Sequence, residues 1–174
     1  MAVPGAGHLV RRFAGSLWPG GPGAAGERWA CSHLLDGERS LWVRLPGPDR
    51  RHALGVARRV GEHLGVEATR PVLAAALLHD VGKLDARLGT WGRVVATMAA
   101  KVAGRDAAVL WSSGAGFTRR VGLYLRHDEL GADLLAMAGS DSLTVAWARE
   151  HHLPPERWSL SPAIAAALKA SDDD

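Results

Sequence analysis

The chain has 174 residues, 47% of them hydrophobic, with 21 basic side chains against 18 acidic ones. That size and apolar content suit one domain around one core and exclude a disordered chain. A net charge of +3, spread without a basic stripe, argues against nucleic-acid binding, and the single cysteine, Cys31, excludes an intramolecular disulfide.

No stretch reaches the ~20 apolar residues of a membrane span, so no membrane partner is expected. The first 22 residues are interrupted by Arg11, Arg12 and several Gly and Pro, without the apolar centre of a secretory leader. A cytoplasmic location is the expectation. Residues 1–28 are rich in Gly, Pro and Ala, and Pro19-Gly20-Gly21-Pro22-Gly23 breaks any helix, so a flexible arm is expected before a domain at 29–174. Cys31, beside Trp29 and Leu34, reads as a small buried hydrophobe.

From Trp29 to Leu45, Leu34, Leu35, Leu41, Trp42 and Leu45 recur at near-helical spacing, which predicts one or two short helices closed by Pro46-Gly47-Pro48. Asp49 is placed to cap a helix from about Arg50, with Val56, Val60 and Leu64 on one face and Gly65 at its end. The next begins near Pro71 and runs through Val72 to Leu78, apolar on every side, which predicts the most buried helix of the domain. His79 and Asp80 follow directly, and Gly82 ends the segment. A carboxylate after such a run needs a partner or a metal, because burying it unpaired costs several kcal/mol.

Amphipathic stretches follow at Trp91–Val102, Arg119–Met137 and Ser142–His151, and a last helix is capped by Ser161, with Pro162 in its first turn, and reaches Asp172. No segment alternates with a period of two. The expectation is an all-α, single-domain bundle of about six or seven helices. The seven tryptophans read as core and interface anchors, those near the N-terminus suiting a homodimer contact.

Of eight histidines, His8, His33 and His63 look incidental. The others form an ordered series with two carboxylates: His52, His79-Asp80, His127, His151-His152 and Asp172. Each falls at a predicted helix end or on a core-facing helix. Imidazoles and carboxylates together suit borderline first-row ions such as Mn, Fe, Co, Ni or Zn. One residue from each of several converging helices is how bundle cores build metal sites.

The order H…HD…D resembles the signature of the HD superfamily, and Val81-Gly82-Lys83 extends it to the HDxGK form of several of its branches. His127-Asp128-Glu129-Leu130-Gly131-Ala132 is similar to the H-P-E-x-G-A segment of HD-GYP phosphodiesterases, His151-His152 to the paired histidines after it, and residues 164–172 to the terminal helix whose Asp closes the metal site. The resemblance spans roughly residues 49–172 and implies an HD-type fold with a two-metal site. One divalent ion would take His52, His79, Asp80 and Asp172; the other would take His127, His151 and His152, with Asp80 bridging. A hydroxide between them would attack phosphorus, with Lys83, and more weakly Arg126, holding a phosphate oxygen. Asp173 and Asp174 adjoin Asp172, so the terminal ligand can slip by one.

Two departures narrow this. Leu153-Pro154-Pro155-Glu156-Arg157-Trp158 stands where the D-G-x-G-Y-P stretch would lie, so recognition of cyclic di-GMP is not expected. Pro48 stands where some relatives carry a Glu supporting a third metal, so two ions are expected. The resulting expectation is hydrolysis of a small phosphomonoester or phosphodiester, a nucleotide above all. The alternatives are a di-iron oxygenase of HD type and a non-catalytic nucleotide-binding module.

Overall fold

The computed structural model describes residues 20–86, 88–89, 92, 95–96, 99 and 107–173. The most buried element is helix Arg70–Leu78, in which every residue from Val72 to Leu78 is buried. Thr69 precedes it in extended conformation and Pro71 supplies a preset first turn. Such a helix must be wrapped by others. Ahead of it come α1 (Gly23–Ser32), α2 (Asp36–Trp42) and α3 (Gly47–Leu64); it is α4. After it come α5 (Lys83–Ala86), α6 (Gly116–Leu125), α7 (His127–Met137), α8 (Ser142–Glu150) and α9 (Pro162–Asp173).

Helix α4 packs against α3 on one side and α8 on another, with α9 laid along α3 and α7 along α8. Trp42, Leu77, Leu78, Leu135, Trp147 and Leu168 are among the buried side chains of the resulting core. Thr144 on α8 donates its hydroxyl to the Pro71 carbonyl at 3.1 Å, fixing the register of α8 on α4. A smaller cluster of Ala86, Leu88, Ala96, Val121 and Leu123 lies to one side, where α5 meets α6.

The all-α expectation is met, with no strand among the described residues. The helices outnumber the expected six or seven for two reasons. The Arg119–Met137 stretch is two helices, broken at Arg126 (φ −109°, ψ 18°), and the turn after α4 leads into the short α5. Helix α1 starts at Gly23, inside the segment expected to be a loose arm, and residues 1–19 lie outside the described residues. The expected helix at 91–102 lies mostly outside them too. Helix α3 starts at Gly47 rather than Arg50, leaving Asp49 in its first turn, and Gly65 ends it at φ +54°, a conformation that favours glycine.

Cys31 is half-buried against the core rather than fully buried. Trp42 and Trp147 are fully buried, while Trp29, Trp111 and Trp158 are partly so. No helix among the described residues is long and apolar enough to cross a membrane.

Candidate metal centre

Five elements contribute side chains to one place. His52 comes from α3, His79 and Asp80 from the end of α4, His127 from the first residue of α7, His151 and His152 from the end of α8, and Asp172 from the last turn of α9. His79, His127 and His151 share one local device. Each follows directly, or within two residues, the end of a helix whose last carbonyls have no intrahelical partner. His79 Nδ1 donates to the Ala76 carbonyl at 3.0 Å, His127 Nδ1 to Tyr124 at 2.7 Å and His151 Nδ1 to Ala148 at 2.9 Å. Each bond places a proton on Nδ1 and turns Nε2 away from the backbone. A backbone acceptor behind a histidine is also the usual support of a metal-ligating imidazole.

The three Nε2 atoms converge on Asp80. Its Oδ1 is 3.5 Å from His127 Nε2 and 3.8 Å from His151 Nε2, and its Oδ2 is 3.5 Å from His79 Nε2. Lys83, at the start of α5, donates to the same Oδ2. On the far side, Asp172 Oδ1 is 3.0 Å from His52 Nε2 and 3.5 Å from His79 Nε2. On the near side, His152 Nε2 lies 3.1 Å from His127 Nε2. The donor atoms therefore form two overlapping groups, Asp80 with His127, His151 and His152, and Asp80 with His52 and His79; within each, all lie within 4.8 Å of one another. Asp172 stands against the second group.

The residues fit a cation. His79 Nε2 and His151 Nε2 are buried without a hydrogen-bond partner. Contacts of 3.5 Å and more are too long for good hydrogen bonds, and each orphaned buried polar atom costs about 1–3 kcal/mol. An ion accepting both lone pairs would remove that cost.

The electrostatics point the same way. Burial disfavours the His79 imidazolium, yet Asp80 and Asp172 outweigh burial and lift its pKa to about 10. Burial likewise opposes ionisation of Asp80, but Lys83 and His79 hold it well below the usual carboxylate range. Asp172 is pulled down in spite of burial by its bonds to His52 and His79. Burial, aided by the charge on His79, drives His151 well below the ordinary histidine value, and burial with His127 lowers His152 to about 4. Near pH 7 the cluster thus presents Asp80 and Asp172 ionised, His151 and His152 neutral, and His79 holding a proton that a metal could replace.

All seven expected ligands lie in this cluster, and Lys83 touches it. Arg126 is engaged elsewhere, its guanidinium bonding Glu129 at 3.0 Å and Ser112 at 3.1 Å. Asp173 pairs with Lys169 at 2.9 Å, whereas Asp172 faces the histidines; Asp174 lies outside the described residues.

Supporting residues carried no sequence signal. Arg59, about two turns beyond His52 on α3, donates two N–H groups to the Ser171 carbonyl, at 2.6 and 3.1 Å, clamping the chain beside Asp172. His63, incidental by sequence, lies 3.3 Å from the Ser171 hydroxyl. Tyr124 stacks on His127 at 5.6 Å between ring centres and lies under the Lys83 ammonium. Gly82 lets the α4–α5 turn press on α7, since a Cβ there would stand 1.9 Å from the His127 carbonyl oxygen.

No protein-family model, curated protein or solved structure matches the chain.

Proposed function

We propose that this chain is a metal-dependent phosphohydrolase of HD type that hydrolyses a small phosphate ester, a nucleotide above all, with two divalent first-row ions sharing Asp80. The observation that carries the reading is the division of Asp80 between two donor groups, Oδ1 turned to His127 and His151 and Oδ2 to His79. A lone structural metal would need only one such group. Bound there, paired ions supply a nucleophilic water at neutral pH and offset charge on the phosphoryl oxygens.

The chain's own residues do the rest. The Nδ1 bonds of His79, His127 and His151 hold three imidazoles in position before any ligand arrives, so little reorganisation is needed. Asp172, steadied by Arg59 through the Ser171 carbonyl, closes the His52 side. His152 is exposed and marks the solvent side of the cluster. Lys83 bonds Asp80 Oδ2 and is placed to transfer one of its donors to a phosphoryl oxygen once that carboxylate is neutralised. Leu153–Trp158 replaces the stretch that follows the paired histidines in HD-GYP proteins, so the proposal stops short of cyclic di-GMP.

The test is hydrolysis of a panel of nucleotides, phosphomonoesters and phosphodiesters by protein reconstituted in turn with Mn, Fe, Co and Ni. The expected result is metal-dependent phosphate or nucleotide release, lost in Asp80→Asn. No release with any metal, together with iron-dependent oxygen consumption, would replace this reading with an oxidative one. Nucleotide binding without turnover would leave a binding module.

A further inference from the structure

Beside the cluster, a cleft of about 520 Å³ runs between the 3₁₀ turn Pro155–Arg157 and α9. Pro155, Trp158, Pro162 and Ala166 give it flat apolar walls, and Lys169 and Asp173 stand at its polar edge. Its size is that of a small-ligand site. Helix α9 also carries Asp172, and the turn begins three residues after His152. The Trp158 indole N–H is shared between the Glu150 carbonyl at 3.1 Å and the Leu153 carbonyl at 3.0 Å, so it brackets the His151-His152 pair. Its ring meets Trp147 edge-on at 5.7 Å. The indole is therefore fixed before any ligand binds. On the opposite wall, Asp173 follows Asp172 directly, and Lys169 pairs with Asp173 at 2.9 Å one helical turn back.

We propose that this cleft receives the base of a nucleoside phosphate whose phosphoryl group lies at the His/Asp cluster; the position of the phosphoryl group rests on the phosphohydrolase reading above. The match is chemical. A fixed indole and two proline rings offer flat apolar faces to a planar aromatic ring, and bases stack on aromatic side chains whatever their sequence identity. The ammonium of Lys169 and the carboxylate of Asp173 supply a donor and an acceptor side by side, as the edge of a base requires.

Adenosine, guanosine, cytidine and uridine, with ribose as the control, are titrated into the full chain as purified and after chelation. Binding is followed through the tryptophan indole N–H resonances, with Trp158→Phe identifying the signal of Trp158. At least one nucleoside is expected to shift that signal where ribose does not, with and without metal. Ala166→Trp places a large ring in the cleft from an exposed helical position, so folding should survive. It is expected to weaken the nucleoside about tenfold or more, a change of roughly 1.4 kcal/mol. Nucleosides that shift nothing beyond ribose, or an Ala166→Trp protein that binds them like the wild type, would overturn the proposal. Inorganic phosphate titrated into the metal-loaded protein separates the two ideas. If phosphate fails to bind while nucleosides still respond to Ala166→Trp, the cluster reading falls and the base site stands.

Discussion

His79 carries two opposed instructions. Burial tells it to be neutral, and two carboxylates tell it to be charged; the carboxylates win, at a pKa of about 10. Folding raises that pKa from 6.5, so the contribution of His79 to stability is complete below pH 6.5 and is lost as pH rises through about 10. His152 moves the other way, from 6.5 to about 4, and its contribution is present above 6.5 and is lost as pH falls through about 4. His151 shifts in the same direction as His152. Chelated protein should therefore melt highest near pH 6.5, with the melting temperature falling on both sides. His79→Gln should flatten the alkaline decline and leave the part of the acidic decline that belongs to His152, as read by calorimetry across the pH range. An alkaline decline unchanged in that variant would show that some other group causes it.

At the scale of elements, the site is assembled from helix ends. An imidazole just past a helix can use its Nδ1 proton on a carbonyl left over from the last turn, and this happens at His79, His127 and His151. The break at Arg126 belongs to this design, because an unbroken helix across residues 119–137 would deny His127 that position. Hydrophobic periodicity continues through the break, so the sequence reads as one helix where there are two. Gly82 is the other element-scale requirement. A side chain there would meet the His127 carbonyl oxygen at 1.9 Å and the Gly131 nitrogen at 2.6 Å, both backbone atoms that cannot swing aside. Gly82→Ala should cost about 1–3 kcal/mol in urea unfolding, in the range of overpacked cores. It should also weaken metal retention, because the same contact sets the distance between Asp80 and His127. A variant as stable as the wild type would mean that the two turns are free to separate.

At the scale of the whole molecule, the residues of the cluster are easier to read from the sequence than the residues that support them. The apolar run Val72–Leu78 followed by His79-Asp80 has one good explanation, a buried helix delivering polar groups to a site. The remaining candidate ligands stand out because imidazoles and carboxylates recur at helix ends. Arg59, His63 and Tyr124 were not legible. They act through one backbone carbonyl, one hydroxyl and one ring face, contacts between segments that residue spacing does not encode. Arg126 shows the converse, since a basic residue next to a ligand suggests a phosphate contact until Glu129 and Ser112 are seen to hold it. Helix α1 was hidden by its start among Gly and Pro, although Ala30 is buried in the core. Its glycine-rich first turn is a poor helix former that tertiary packing overrides.

The central claim is that two donor groups meeting at Asp80 hold metal. Metal content per chain, measured by elemental analysis on wild type, His79→Ala and His151→Ala after reconstitution and desalting, tests it directly. About two equivalents are expected in the wild type and fewer in each variant, since His79 and His151 belong to different groups. Metal near zero in the wild type, or content unchanged by both substitutions, would contradict it and leave a buried polar cluster without an ion.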